Sequence, residues 1–246
     1  MLAGNFNSER MILMKNKTKF QVAGVTGLLS ILLVILIRAV DVASIGPEGT
    51  DIGLSHINKA IFEFFEVDML WYNITDWLGV VAILMAFLFA FIGFGQMINR
   101  RSLLKVDRSI LALGVLYIIV IGLYILFEIA IVNYRPIIMP GCEHPEASFP
   151  SSHTMMVCVI MGSAMMLLKR YINNRPLRLI LQVLCIVLIL VTVFGRLISG
   201  VHWFTDIIGG VLISVSLLSL YAGVLEAVIE KEVGHGAKTA KGMKAE

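Results

Sequence analysis

Six long apolar stretches dominate the chain: Phe20–Ile37, Val80–Ile98, Ile110–Val132, Thr154–Leu168, Leu177–Phe194 and Phe204–Ile229. Each reaches or approaches the roughly 20 residues that a helix needs to cross a bilayer. Lipid offers no partners to backbone N–H and C=O groups, so a spanning segment has to satisfy its own, as a helix does. The expected fold is therefore all-α, a polytopic six-helix transmembrane bundle. Composition agrees, since 58% hydrophobic residues exceed the roughly 45–50% of a soluble domain. The fourth stretch is short and carries Gly162 and Ser163. It either borrows a turn from the preceding segment or packs closely through small residues.

Lys and Arg give the orientation. Arg10, Lys15, Lys17 and Lys19 precede the first stretch; Arg100, Arg101, Lys105 and Arg108 lie between the second and third; Lys169, Arg170, Arg175 and Arg178 lie between the fourth and fifth; Lys231, Lys238, Lys241 and Lys244 follow the sixth. With an even number of spans all four groups share one side, which the positive-inside rule makes the cytoplasm. The expected organisation is a cytoplasmic segment 1–19, a transmembrane domain 20–230 with an outer loop 38–79, and a cytoplasmic tail 231–246. The first stretch reads as a retained anchor, because Ala39 and Ala43 are spaced too widely for an A-x-A-like cleavage site.

The outer loop is acidic, with Asp41, Glu48, Asp51, Glu63, Glu66, Asp68 and Asp76 against Lys59. Within it Ile57, Ile61, Phe64, Phe65, Met69 and Leu70 recur mostly at three- and four-residue steps, followed by Trp71, Tyr72 and Trp77. This is the pattern of an amphipathic helical segment with aromatic anchors at headgroup level, or of a loop helix packed on the bundle. Cys142, Cys158 and Cys185 lie far apart without C-x-x-C spacing, which indicates neither a disulfide framework nor a zinc site. The methionines of the fourth stretch read as packing filler.

Chemistry concentrates at the outer ends of the last four stretches. Arg135 follows the third, Ser151, Ser152 and His153 open the fourth, Arg196 ends the fifth, and His202 with Asp206 opens the sixth. Topology brings all seven to one outer pocket. Two guanidiniums suit a phosphate through paired hydrogen bonds. A Pro-Ser-Ser helix start adds free N–H groups, hydroxyls and the positive end of the helix dipole. His202 and Asp206 are four apart, so a helix beginning near Val201 places both on one face, where the carboxylate fixes the imidazole tautomer. His153 stands apart as a proton donor.

These residues resemble the phosphatidic acid phosphatase type 2 superfamily, whose signature segments read K-x6-R-P, P-S-G-H and S-R-x5-H-x3-D. Here they read Glu128-x6-Arg135-Pro136, Pro150-Ser151-Ser152-His153 and Gly195-Arg196-x5-His202-x3-Asp206. The resemblance implies a metal-independent phosphatase without cofactor. His202 attacks phosphorus, Asp206 supports it, His153 protonates the leaving oxygen, and Arg135, Arg196, Ser151 and Ser152 hold the phosphoryl oxygens. The expected partners are the bilayer and a lipid-phosphate substrate, with no nucleic acid. The substrate candidates are a polyprenyl diphosphate, phosphatidylglycerophosphate or phosphatidic acid.

Three positions depart from the signature: Ser152 for glycine, Gly195 for serine and Glu128 for lysine. The last replaces a phosphate-binding cation with a group that repels phosphate when ionised. It reads as a neutralising partner of Arg135 or Arg196, or as a change of substrate. It also motivates a second reading, a catalytically silent lipid-phosphate binder or transporter of the same fold.

Overall fold

The computed structural model describes residues 2–242, with side-chain surroundings described for residues 16–229. Arg10, Lys15, Lys231, Lys238, Lys241 and Lys244 of the two expected tails lie outside those side chains. The helices are α1 (Leu2–Ala39), α2 (Ser55–Phe65), α3 (Met69–Arg100), α4 (Arg108–Ile129), α5 (Ser152–Tyr171), α6 (Arg175–Ile198) and α7 (Phe204–Gly242). Among the described residues six helices are long and apolar enough to span a membrane, and α2 is the short one left over.

The helix with the least apolar sequence is the centre of the bundle. The best window of α5 has a mean hydropathy of 1.4 and is 67% buried, whereas that of α6 has 2.8 and is 11% buried. A helix facing lipid has to be apolar all round, while one surrounded by other helices is selected for close fit. Both expectations for the fourth stretch hold. The helix starts two residues early at Ser152, and a Cβ on Gly162 would lie 2.6 Å from Leu218 Cδ1, so α5 and α7 touch there. Large apolar side chains such as Leu84, Phe91, Ile118, Ile129 and Leu179 face outward, as a lipid-solvated surface requires. On the other flank α1 lies along α7, fastened by Ser216 Oγ donating to the Ala23 carbonyl at 2.8 Å and by the Lys19–Glu226 ion pair.

Several boundaries differ from expectation, and the differences matter for function. The second span begins at Met69, not near Val80, because Asp68 caps it by accepting from Leu70 N at 2.8 Å. Met69, Leu70, Trp71, Tyr72, Asp76 and Trp77 thus belong to the spanning helix, and the amphipathic segment shrinks to α2. The third span ends at Ile129, not Val132. Beyond it the chain is drawn into an antiparallel bridge in which Arg135 N donates to the Glu146 carbonyl at 3.0 Å and Ser148 N to that of Asn133 at 2.9 Å. The sixth span begins at Phe204, where its apolar stretch begins, and not near Val201 as a shared face of His202 and Asp206 requires, so His202 stands before the helix and not on it.

The segment between α6 and α7 is held from outside. Gly200 has φ +65°, and a Cβ there would fall 2.0 Å from the Glu66 carbonyl oxygen, so the α2–α3 connection rests directly on the turn. Fully buried Asn58 of α2 ties down the start of α7, donating to Thr205 Oγ1 at 3.1 Å and accepting from Thr205 N at 3.2 Å. In α7 the Gly209–Gly210 pair lets the entry to α5 lie flat on the helix, since a Cβ on Gly209 would meet the Phe149 ring at 2.3 Å and one on Gly210 the Ser151 carbonyl oxygen at 3.1 Å.

Candidate active site

His202 is the hub of a buried relay. Its Nδ1 lies 3.1 Å from Ser148 Oγ, and Ser148 Oγ donates to Asp206 Oδ2 at 2.5 Å. The direct His202 Nδ1–Asp206 Oδ2 separation is 3.8 Å, beyond a hydrogen bond. The expected face-to-face contact of His202 with Asp206 is therefore replaced by a bridge through a hydroxyl. The cause is the later start of α7, which removes His202 from the helical register. Asp206 also accepts from Trp203 N at 2.9 Å and faces Asn133 Nδ2 at 3.4 Å.

The relay selects a tautomer. A serine has one hydrogen to give, and a carboxylate only accepts. With the Ser148 hydrogen spent on Asp206, Nδ1 of His202 has to be the donor to Ser148 Oγ. The lone pair then rests on Nε2, which faces Arg135 Nη1 at 3.5 Å. Burial, reinforced by the guanidiniums of Arg135 and Arg196, holds the His202 imidazole well below the ordinary histidine range. The ring is thus neutral, with its free electron pair beside a cation.

Arg196, 1% exposed, ends α6 against α3. Its guanidinium lies 4.8 Å from the centre of the Tyr72 ring, and its Nη2 donates to Asp76 Oδ1 at 3.1 Å. The same oxygen lies 3.0 Å from His153 Nε2. Ser151 precedes α5 without capping it through its side chain, and its backbone N–H donates to the Asp206 carbonyl at 3.0 Å. Ser151 Oγ, His153 Nδ1 and Arg196 Nε are buried without hydrogen-bond partners. Such a concentration of unpaired polar atoms is unusual for a protein interior and suits a polar ligand.

A small cavity beside His202 is lined by Tyr124, Glu128, Arg135, Ser148, Ser152 and Met155, among others. It adjoins a cleft of about 580 Å³ between α3, α4 and α5, with which it shares Tyr124, Ser152 and Met155. Ile83, Phe87, Val120, Ile121 and Ile160 make that cleft apolar, while Ser152 and His153 stand at its polar end.

The structure brings together His202, Asp206 and Arg135, and separately His153, Arg196 and Asp76. Glu128, in the last turn of α4, lines the cavity. The arginines do not take it as a partner: Arg135 Nε has Glu146 at 3.4 Å and Arg196 has Asp76. Two residues of the site were not anticipated. Ser148 carries no sequence signal beyond its place near Pro150-Ser151, and in the sequence Asp76 is one of seven acids in the loop 38–79. His144 of the α4–α5 connection contacts Glu48 of the outer loop at 3.5 Å.

Residues 130–228 match the PAP2 superfamily. Among solved structures the chain is similar to a transmembrane PAP2-type phosphatidylglycerolphosphate phosphatase from Bacillus subtilis, with a TM-score of 0.61 and 18% identity over 83% of this chain and 96% of that one. No curated protein matches.

The relay predicts a stability effect. Ser148→Ala strips His202 Nδ1 of its acceptor and Asp206 of its shortest donor, and a buried polar group left unpaired costs about 1–3 kcal/mol. Thermal unfolding in detergent is expected to show a matching loss; an unchanged midpoint would mean that Ser148 bridges nothing.

Proposed function

We propose, for a chain whose residues 130–228 fall in the PAP2 superfamily, that it hydrolyses a lipid phosphate at the extracytoplasmic face of a membrane through a phosphohistidine. The observation that carries this reading is His202 Nε2 facing Arg135 Nη1 at 3.5 Å in a small cavity that adjoins an apolar cleft through Tyr124, Ser152 and Met155. A nucleophile has to be unprotonated, and a phosphoryl group needs a cation beside it.

In the first step Nε2 forms a bond to phosphorus as the bond to the leaving oxygen breaks, and His153 gives that oxygen a proton. The imidazole of His202 gains positive character as it becomes phosphorylated, which Asp206 offsets through Ser148. Arg135 and Arg196 bind the equatorial oxygens where charge builds, with Ser151 and Ser152 supplying the helix start. In the second step water, losing its proton to His153, attacks phosphorus and releases inorganic phosphate and the free imidazole. None of these steps calls on a metal or cofactor. The cleft accommodates an acyl or prenyl tail, so the candidate substrates are polyprenyl diphosphate, phosphatidylglycerophosphate and phosphatidic acid. The similar B. subtilis structure is named for the second of these.

Phosphate release by the purified protein from a panel of these three lipids tests the reading. His202→Ala is expected to lower turnover by about a thousandfold or more while the protein remains folded. Retention of an appreciable rate would remove His202 as nucleophile, and absence of release by the wild type from every lipid would favour a silent binder.

Sidedness follows from the basic loops, with both termini and the 100–108 loop cytoplasmic and exposed, free Cys142 outside. A membrane-impermeant maleimide applied to intact cells is expected to label Cys142 and not a cysteine placed at Lys105. The reverse pattern would put the site on the cytoplasmic face.

Glu128 shares the cavity with Arg135 and His202, so its charge opposes a phosphate. Glu128→Lys is expected to raise activity on a soluble phosphate ester severalfold, and Glu128→Gln to raise it less. Loss of activity in both variants would make Glu128 a working part of the site.

A further inference from the structure

We propose that Asp76 determines specificity: its carboxylate occupies the His153–Arg196 half of the phosphate pocket, so that only a phosphate whose apolar tail fills the neighbouring cleft displaces it efficiently. This rests on the phosphatase reading above. One oxygen, Asp76 Oδ1, lies 3.0 Å from His153 Nε2 and 3.1 Å from Arg196 Nη2. Those are the groups assigned to the leaving oxygen and the phosphoryl oxygens. A carboxylate bridging an imidazole and a guanidinium holds the place of a phosphate oxygen.

The surroundings determine which partner yields. The Arg196 side chain is 1% exposed and that of Asp76 is 48% exposed. Arg196 keeps its stacking on Tyr72 whatever Asp76 does, so the guanidinium is anchored and the carboxylate is the part free to turn away. The close approach of α3 is built into the sequence. A Cβ on Gly195 would lie 2.5 Å from Thr75 Cγ2 and 3.0 Å from Trp71 Cε3, and one on Gly79 would lie 2.8 Å from His153 Cδ2. Thr75 is fully buried and has little room to retreat. Glycine in place of the signature serine at 195 is thus what lets α3 bring Asp76 onto Arg196.

The energy to displace Asp76 is available to a lipid and not to a small ester. A lipid anchored in the bilayer or micelle beside the cleft presents its headgroup at a high effective concentration, a term that raises occupancy of the pocket without any transfer from water. Inorganic phosphate or a soluble ester has no such term and meets the resident carboxylate unaided. Asp76 would then act as an internal competitor that rejects water-soluble phosphates, including the released product.

The test uses the full-length protein in detergent with Asp76→Asn, which keeps the shape and removes the charge, and Asp76→Ser as a second variant. Activity is compared on p-nitrophenyl phosphate and on a long-chain phosphatidic acid, with inhibition by inorganic phosphate. Removing the charge is expected to raise kcat/KM on the soluble ester by about tenfold, the weight of one charge-assisted contact. Inorganic phosphate should inhibit at about tenfold lower concentration, and the ratio of kcat/KM on the soluble ester to that on the lipid should rise severalfold. An unchanged ratio between the two substrates, or an equal loss on both, overturns the proposal and leaves Asp76 as a structural partner of His153. Calorimetric titration with inorganic phosphate separates this from failure of the phosphatase reading. Even in a protein without turnover, tighter phosphate binding by both variants supports displacement, and unchanged or weaker binding overturns it.

Discussion

The buried carboxylate of Asp206 is the point on which the site depends. Fully buried at the start of α7, it collects donors from three separate segments: the Ser148 hydroxyl, the Trp203 N–H and the Asn133 amide. Its backbone carbonyl accepts from Ser151. A charge withdrawn from water is tolerable only when its lone pairs are filled, so the requirement of one residue fixes the connection after α4, the entry to α5 and the turn before α7. The geometry of His202 follows from the same set, because the hydroxyl that satisfies Asp206 also dictates which imidazole nitrogen keeps its lone pair.

Around that centre the charges are closely balanced. Arg135 has Glu146 and Arg196 has Asp76, with Glu128 on the cavity wall. Unpaired guanidiniums at the edge of a low-dielectric region would be costly, and carboxylates partly exposed to solvent relieve the cost without sealing the site. The consequence for binding is competition: an incoming phosphate has to take over contacts already made. The apolar cleft adjoining the site is where an anchored tail holds its phosphate at the effective concentration needed to do so.

Much of this was legible in the sequence. The spans follow from apolar length, and Arg135, Arg196, His153, His202 and Asp206 stood out because ionisable residues at such positions are costly without a use. Ser148 was not legible, since a hydroxyl on a non-helical connection has no periodicity and its role exists only once Asp206 is buried beneath it. Asp76 was missed for a different reason. The apolar run begins at Val80, and residues 69–79 mix aromatic and polar types in a way that suits an interfacial loop. Whether the helix continued through them was decided by the Asp68 cap and by contact with α6, neither of which hydropathy registers. The same blindness applies to register at His202, where a four-residue spacing suggested a shared helical face that the later start of α7 abolishes.

The departures from the signature are coupled through packing as well as through charge. Considered alone, Gly195 looks like the loss of one hydroxyl. In the structure its missing Cβ is the space that Thr75 and Trp71 fill, and the helix carrying them also carries Asp76 and Tyr72. The same small-residue logic at Gly79 allows His153 to reach the carboxylate. A serine at 195 could not be restored without moving α3 outward, and with it the stacking partner and the carboxylate of Arg196. Substitutions in this pocket therefore trade one phosphate contact against the position of a whole helix, and a signature position that has changed has to be judged by what its neighbours now occupy.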